Sequence, residues 1–317
     1  METKPLPLDR MGQRFSIRLH EPDGGYRDVV GILKSQNTVI NRHGNEVNFD
    51  PTQIFTWREV IERPRKAGKG APLTLRVMEL DQICNATWPA VENQEVNGWL
   101  LRASHGVTKR ANSILPLSAA LGSSGKENFT ENLAAANKFY QDRNLPIIFQ
   151  LALPTWQELA EQLITLGAVE TIHGHTMVAD LTETKTLVPT GFEISESKVP
   201  SPEWLRVTSM PGIEKILLGC SAIYLGFTKN KKIVATARIA ITNDWSSITR
   251  VYVDPEFRSL GLGKAIVTAA LAQSFKVGAT KAVLQVEANN EVAIGIYESL
   301  GFNFHHEYLY LELNSDA

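Results

Sequence analysis

Val253-Asp-Pro-Glu-Phe-Arg258-Ser259-Leu260-Gly261-Leu262-Gly263-Lys264 is the stretch that decides how this chain reads. An apolar run at 247–253 precedes it, and apolar residues at helical spacing follow it over 262–276. A strand, a Gly-containing turn and a helix start make an anion cradle. The first N–H groups of a helix have no partner within it and point outward. Gly261 and Gly263 carry no Cβ, which lets a pyrophosphate approach the main chain, and Arg258 sets a cation beside them. The loop is not a Walker motif, which needs four residues between its glycines and a Lys-Ser/Thr after them. Nor is it a dinucleotide fingerprint, because Ala265 and Ile266 stand where the third glycine belongs.

A second segment follows about thirty residues on. Lys281-Ala-Val-Leu-Gln-Val-Glu287 reads as a buried strand, and Asn290 stands at a helix N-cap. Ala293, Ile294, Tyr297 and Leu300 then recur at helical spacing, and Gly301 supplies the stop. Asn290 and Tyr297 are two turns apart and share a face. The loop Arg-x-x-Gly-x-Gly and the later Asn-x-x-Ala-x-x-x-Tyr-x-x-x-Gly-Phe, in this order, resemble the two signatures of the GCN5-related N-acetyltransferases. Read alone, Asn290 is only a cap and Tyr297 only a packing residue.

The resemblance implies an α/β (α+β) fold with a mixed, mostly antiparallel central sheet. It also implies acetyl-CoA as co-substrate and direct acetyl transfer to a primary amine in a ternary complex. Acetyl-CoA is expected in the splay between strands 249–253 and 282–287. Val251, Tyr252 and Val253 would line its pantetheine arm, with a backbone N–H near Val251 polarising the thioester carbonyl. Arg258, Ser259, Leu260, Gly261, Leu262, Gly263 and Lys264 would hold the pyrophosphate. Asn290 and Ala293 would lie along the arm, and Tyr297 would protonate the leaving sulfur. An amine with pKa about 10.4 is rarely neutral at pH 7, which adds roughly 4–5 kcal/mol to the barrier unless a base or pocket offsets it. Many relatives use a Glu early in the central strand, where this chain has Ser247. Glu287 is the first substitute and Asp244 the second, with a water chain also open. The bland reading of Glu287 is a solvated strand-end charge. Trp245 either lines the acceptor pocket or packs its loop.

Composition is that of a globular chain: 317 residues, 43% hydrophobic, 21% charged, net charge −2. That balance gives no general attraction to nucleic acid or to an anionic membrane. No apolar run is long enough to span a bilayer and residues 1–10 have no signal-peptide core, so a cytoplasmic enzyme is expected. Cys84 and Cys220 read as separate thiols, no metal is expected, and His305-His306 is too isolated to be a ligand set.

Three parts follow in order. Residues 1–62 read as five short strands, at 14–19, 26–33, 38–41, 46–49 and 54–57, with turns at 22–25 and 42–45. With a helical turn at 51–53, they look like an SH3-like β-barrel, a possible site for a protein partner. A basic linker, Arg63-Pro-Arg-Lys-Ala-Gly-Lys-Gly70, belongs to a 63–73 connection and reads as solvated rather than as a nucleic-acid contact. Residues 74–182 read as a worn copy of 183–317. Ile147-Ile-Phe-Gln150-Leu matches Ala282-Val-Leu-Gln285-Val, each is followed by a helix ended by Gly167 or Gly301, and a closing strand pair is expected at 171–181 and at 302–313. The copy lacks the chemistry: Ala119-Ala-Leu-Gly-Ser-Ser-Gly125 has no Arg-x-x-Gly-x-Gly, and Leu163 stands for Tyr297. Only 183–317 is expected to take acetyl-CoA. The strings Asn97-Gly-Trp-Leu-Leu-Arg102, Thr108-Lys-Arg-Ala-Asn-Ser-Ile-Leu-Pro-Leu117 and Phe304-His-His-Glu-Tyr308 are similar to two-copy acetyltransferases with an SH3-like N-terminus. Some of these are described as histone-type enzymes. Mycothiol synthases are another two-copy relative, but no residue here selects that acceptor. The other reading is a binding protein in which acetyl-CoA is a regulatory ligand.

Overall fold

The computed structural model describes residues 5–21, 24–41, 44–60, 73–117, 128–208 and 210–313. The turns expected at 22–25 and 42–45 fall partly outside these residues. The linker 63–70 and the loop 119–125 lie wholly outside them. The chain divides into two compact units, 1–66 and 67–317.

In the first unit, apolar alternation sets five strands: β1 (Arg14–His20), β2 (Tyr26–Ser35), β3 (Thr38–Ile40), β4 (Glu46–Asn48) and β5 (Ile54–Glu59). Phe15, Ile17, Leu19, Val29, Leu33, Val39, Phe49 and Ile54 form its core. The helical turn Pro51–Gln53 is present, with Asp50 accepting from the Thr52 N–H at 2.8 Å. The sheet order is β4-β3-β2-β1-β5, with no β4–β5 pairing among the described residues. The expected barrel is thus seen as an open sheet. Its end strand β4 is three residues long and pairs with β3 alone among the described residues.

The second unit runs α1 (Leu73–Ala86), β6 (Glu92–Val96), β7 (Trp99–Ala103), β8 (Ile114–Pro116), α2 (Phe129–Gln141), β9 (Ile147–Leu153), α3 (Gln157–Thr165) and β10 (Val169–Asp180). It continues through β11 (Glu193–Ser197), α4 (Pro202–Thr208), α5 (Glu214–Leu217), β12 (Ala222–Lys229), β13 (Lys232–Thr242), β14 (Trp245–Val253), α6 (Leu262–Lys276), β15 (Lys281–Glu287), α7 (Glu291–Ser299) and β16 (Asn303–Leu313). All eleven strands join one sheet, in the order β11-β12-β13-β14-β15-β10-β16-β9-β8-β7-β6. Only β14–β15 and β8–β9 pair in parallel. Segments 74–182 and 183–317 therefore share one sheet rather than forming two.

The segments expected to be strand pairs, 171–181 and 302–313, are each a single long strand. Neither contains a turn signal. Gly174 is not a turn residue: a Cβ there would collide with the Tyr308 ring, which lies over it. The two strands are also exchanged. β10 leaves β9 and pairs with β15, while β16 pairs with β9, and the two pair with each other down the middle.

Helix α1 buries Val77, Leu80, Ile83 and Cys84, and also Asp81. Leu80, Ile83 and Cys84 pack with Trp245 and Val283, which places α1 over β14 and β15. Burial pushes the Asp81 carboxyl up to about 7, against the opposing pull of the Arg102 charge. A carboxyl raised in the fold contributes stability that is complete below its unfolded value near 4 and is lost as pH rises through 7. The replacement Asp81→Asn is expected to remove that slope. Its gain over the parent at pH 8 should approach about 1.4 kcal/mol for each pH unit between the two values. Urea unfolding at pH 4.5, 6 and 8 checks this, and parallel pH profiles for the two proteins would contradict it.

Candidate active site

Strand β14 carries a bulge. Across from it on β13, Thr236 opposes Tyr252 and Arg238 opposes Thr249, so two residues, Arg250 and Val251, face one. Arg250 takes a left-handed φ of 54° to do so, and its carbonyl accepts from the Thr236 hydroxyl at 3.0 Å. A bulge bends its strand and sharpens the local twist. Parallel pairing of β14 with β15 accordingly ends at Ser247 and Val283. Beyond that point 248–253 and 284–287 diverge, which leaves the backbone of Val251, Tyr252 and Val253 without a partner on the β15 side.

The glycine loop lies at the open end of this splay. Asp254 caps the turn Pro255–Phe257 by accepting from the Glu256 N–H at 3.1 Å, and Lys232 holds Asp254 at 2.9 Å. Ser259 and Gly261 have positive φ, 62° and 75°. Gly261 is the N-cap of α6 and offers no side-chain cap, and the first helical bond runs from the Ala265 N–H to its carbonyl. The N–H groups of Leu262, Gly263 and Lys264 are thus left to an outside acceptor. Space beside Gly261 is open, whereas a Cβ on Gly263 would press at 3.3 Å on Ile296. Gly263 therefore serves the contact of α6 with α7. Leu260 is exposed, and Arg258 Nε lies 3.5 Å from the Val253 carbonyl.

Asn290 caps α7, accepting from the Ala293 N–H at 3.2 Å. Tyr297, two turns on, is buried and edge-on to Phe302 at 5.9 Å. Burial pushes its phenol up to about 12.

A cavity of about 570 Å³ runs through the splay. One part is lined by Ile248–Tyr252, Leu284–Glu287, Asn290 and Tyr297. The other is walled by Trp88, Thr108, Lys109 and Arg110 with Tyr308 and Tyr310. Alternation on β15 sorts the chemistry between the two faces of the sheet. Ala282, Leu284 and Val286 pack in the same core as Tyr297. Gln285 and Glu287 point to the other face. Glu287 and Tyr308 both flank Gly174 in one cross-strand row, which brings the carboxylate and that phenol to the same side.

Asp244 and Trp245 are not brought to this cavity. They sit at the opposite end of β14, six residues or roughly 20 Å of strand from Val251. The Asp244 carboxylate lies 3.6 Å from Lys281 Nζ, and Trp245 lines a separate cavity of about 470 Å³ with Arg76, Leu80 and His305. His306 is buried, with its Nδ1 2.8 Å from that of His305. No group of three or more His, Cys, Asp or Glu suited to a metal occurs among the described residues. Nor is any helix among them long and apolar enough to cross a membrane. The far wall of the cavity escaped sequence reading. Residues 108–110 and 308 fall within strings noted only for their resemblance, and nothing local in them signals a pocket.

The family model described as "Probable histone acetyltransferase Rv0428c C-terminal" matches residues 74–311. The chain belongs to that family. It is a GCN5-related N-acetyltransferase by its relatives and its fold. It is 25% identical over 96% of its length to "Probable histone acetyltransferase Rv0428c" of Mycobacterium tuberculosis, itself covered to 96%. It is 23% identical over 72% of its length to "Uncharacterized N-acetyltransferase YobR" of Bacillus subtilis, covered to 94%. The "[Ribosomal protein bS18]-alanine N-acetyltransferase" of Escherichia coli K12 is 38% identical over 25% of this chain and 55% of its own. Among solved structures, a GCN5-related N-acetyltransferase from Kribbella flavida superposes with a TM-score of 0.60 at 16% identity, over 74% of this chain and 95% of its own. A tandem protein of the same fold from the clavulanic acid biosynthesis pathway gives 0.52 at 13%, over 80% and 91%.

Within this N-acetyltransferase the other parallel pair, β8–β9, also separates early, after Ile114 and Phe149. Its gap is filled. Buried Arg102 donates to Ser113 Oγ at 2.8 Å, to Gln150 Oε1 at 2.8 Å, to the Ser113 carbonyl at 3.0 Å and to Asn85 Oδ1 at 3.1 Å. One guanidinium thus stitches the two strands. Gln285, matched to Gln150 by sequence, has no such partner: its Oε1 accepts nothing among the described residues. Arg238, on β13, donates to the carbonyls of Thr87 at 2.9 Å and Leu217 at 3.3 Å and lies 3.5 Å from Thr249 Oγ1 on β14. Replacing Arg102 by Met leaves the buried Ser113 Oγ and Gln150 Oε1 and the half-buried Asn85 Oδ1 without this donor, and should lower the unfolding free energy by about 1–3 kcal/mol for each buried acceptor. Urea denaturation reads this, and a loss below about 1 kcal/mol, the size of a surface contact, would mean that Arg102 does not join the strands.

Proposed function

We propose that the chain transfers the acetyl group of acetyl-CoA to a primary amine, using the β14/β15 splay as its only cofactor site. The observation that carries this is the cavity that joins Tyr297 on one face of the sheet to Glu287 on the other. An acid and a base on opposite sides of an open splay fit a thioester between them, with sulfur toward one and amine toward the other. The chain also fits acetyl-CoA on its own geometry. The uncapped N–H groups of Leu262–Lys264 and the open space at Gly261 suit a pyrophosphate, with Arg258 beside it. The unpaired edge of Val251 and Val253 suits the pantetheine amides, in the manner of an added strand. Asn290 and Ala293 border its path. When bound, acetyl-CoA supplies the thioester to be attacked.

Tyr297 holds its proton throughout the neutral range, because burial keeps the phenol at about 12. Full transfer to a thiolate with a cysteine-like pKa near 8.5 would be uphill by roughly 5 kcal/mol. Tyr297 therefore acts by hydrogen-bonding the leaving sulfur as charge builds there. Glu287 takes the amine proton. Residues 74–182 and 183–317 are read as two copies of one fold, of which the first has Leu163 where the second has Tyr297. The alternative, a protein that binds acetyl-CoA only to recruit a partner through its N-terminal sheet, has no observation of its own in its favour.

Gly261→Asp sets a carboxylate against the phosphates and strains a left-handed position, so acetyl-CoA affinity by calorimetry should fall at least tenfold. Unchanged affinity would remove the loop from the site. Tyr297→Phe and Glu287→Gln should each keep acetyl-CoA affinity within about twofold while lowering kcat/KM by about 10- to 1000-fold, the range of one hydrogen-bond donor to developing charge for Tyr297 and of one proton-transfer group for Glu287. Thiol release with a panel of amines measures this. Full activity in either variant would strip that residue of its role.

A further inference from the structure

The acceptor wall of the cavity is more specific than a generic amine requires. Four charged side chains line the cavity: Lys109, Arg110, Arg250 and Glu287. Lys109 is engaged, with its Nζ 3.5 Å from Glu312. Arg110 differs. It is half-buried and lies 5.7 Å over the Trp88 ring, and its polar neighbour is the Tyr310 hydroxyl, to which it hydrogen-bonds. No carboxylate forms an ion pair with it among the described residues. A guanidinium offers five donors in a fixed fork, and one held over an aromatic ring at a cavity wall is short of an anion.

The loop that carries Arg110 is fixed in advance. Buried Asn112 uses its whole amide on it. Its Oδ1 accepts from the N–H groups of Ser104 at 2.7 Å and Gly106 at 2.9 Å, and its Nδ2 donates to the carbonyls of Val107 at 2.7 Å and Thr108 at 2.8 Å. Thr108 takes a left-handed φ of 62° within that turn, and its hydroxyl receives the Trp88 indole N–H at 3.3 Å. Arg110 and its aromatic backing are thus one rigid piece. The row from there to the base is continuous. Tyr310 is 5.8 Å from Tyr308, and Tyr308 lies over Gly174 toward Glu287.

We propose that Arg110 is a specificity-determining residue that binds a carboxylate of the acceptor, so that the substrate is an amine bearing a carboxylate. This rests on the acetyltransferase reading and names its acceptor class. In the reaction the neutral amine nitrogen bonds to the acetyl carbon and the carbon–sulfur bond breaks. One N–H proton passes to Glu287, and sulfur leaves as a thiolate hydrogen-bonded by Tyr297. Arg110 takes no proton; it sets where the amine sits. Two sources share this chemistry, a free amino acid and a lysine in an acidic peptide.

The test uses the full chain and acetyl-CoA. Amino acids with one to five carbons between amine and carboxylate are each compared with their amides, beside lysine peptides flanked by Asp or by Asn. At least one carboxylate form should exceed its neutral partner in kcat/KM by about tenfold or more, the worth of one charge-assisted hydrogen-bond pair. In Arg110→Met that preference should collapse, while acetyl-CoA affinity by calorimetry stays at the parental value. The carboxylate amines should also bind the parent with CoA present, and bind Arg110→Met at least tenfold more weakly. Equal rates for charged and neutral forms in the parent, or equal losses for both in the variant, overturn the proposal. If no amine is acetylated, yet carboxylate amines still bind in an Arg110-dependent way, the acceptor site stands and the transferase reading falls.

Discussion

The antiparallel pairing of β10 with β16 is the constraint on which the rest of this protein depends. Each strand leaves the segment that precedes it and completes the sheet of the other. Separating residues 74–182 from 183–317 would strip β15 and β9 of a ladder each and expose unpaired edges, which sheets do not tolerate inside a core. The exchange also has a chemical result. It carries Tyr308 and Tyr310 of the last strand to a place beside Arg110, and Gly174 of β10 to a place beside Glu287. The far wall of the cavity is therefore built from both segments, Trp88 and 108–110 from one and Tyr308 and Tyr310 from the other, while the splay belongs to 183–317 alone. Gly174 makes the arrangement possible, because the Tyr308 ring occupies the volume of its missing Cβ.

The two parallel strand pairs show why the halves differ. Both pairs part early, but beside β8 and β9 the Arg102 guanidinium bonds Ser113, which leads into β8, and Gln150 of β9. A fully buried cation with its donors satisfied is expensive to displace, since every acceptor it leaves would stay dry and unpaired. At β14 and β15 the bulge at Arg250 and Val251 turns the strand outward, and Arg238 of β13 reaches Thr249 of β14 at 3.5 Å and the Thr87 and Leu217 carbonyls, with no bond to β15 among the described residues. The Gln at the same position of each pair marks the contrast. Gln150 is tied to Arg102, and Gln285 keeps an acceptor without a donor.

Much of the local structure was legible. The 3.6-residue period of 262–276, the Asn290 cap and the β-branched run of 281–287 each give an element at the stated place, because local propensity and tertiary packing agree there. The single turn at 51–53 was equally local. What could not be read is long-range. Residues 171–181 and 302–313 look like closing strands in either register, and no local signal says which neighbour each will choose. For the same reason Trp88, Arg110 and Tyr310 could not be assigned to a site about 200 residues of sequence away from some of its members. Asp244 and Trp245 sit at the end of β14 away from the splay. Adjacency to a central strand in sequence does not say which end of that strand opens.

The divided chemistry of β15 explains how so plain a strand can serve catalysis. Its even-numbered residues, Ala282, Leu284 and Val286, belong to the apolar core that buries Tyr297 and holds that phenol protonated. Its odd-numbered residues, Gln285 and Glu287, face the polar wall with Tyr308 and Arg110. A proton donor needs the dry side, where its proton cannot be lost to water. A carboxylate that must accept a proton and release it needs the wet side, and Glu287 at the exposed strand end has it. The two-residue period of a β-strand separates these environments by one residue. The bulge opposite then opens a passage between them. Nothing in this division requires the missing Glu at Ser247, which is itself buried in the paired part of β14, closed off from the splay.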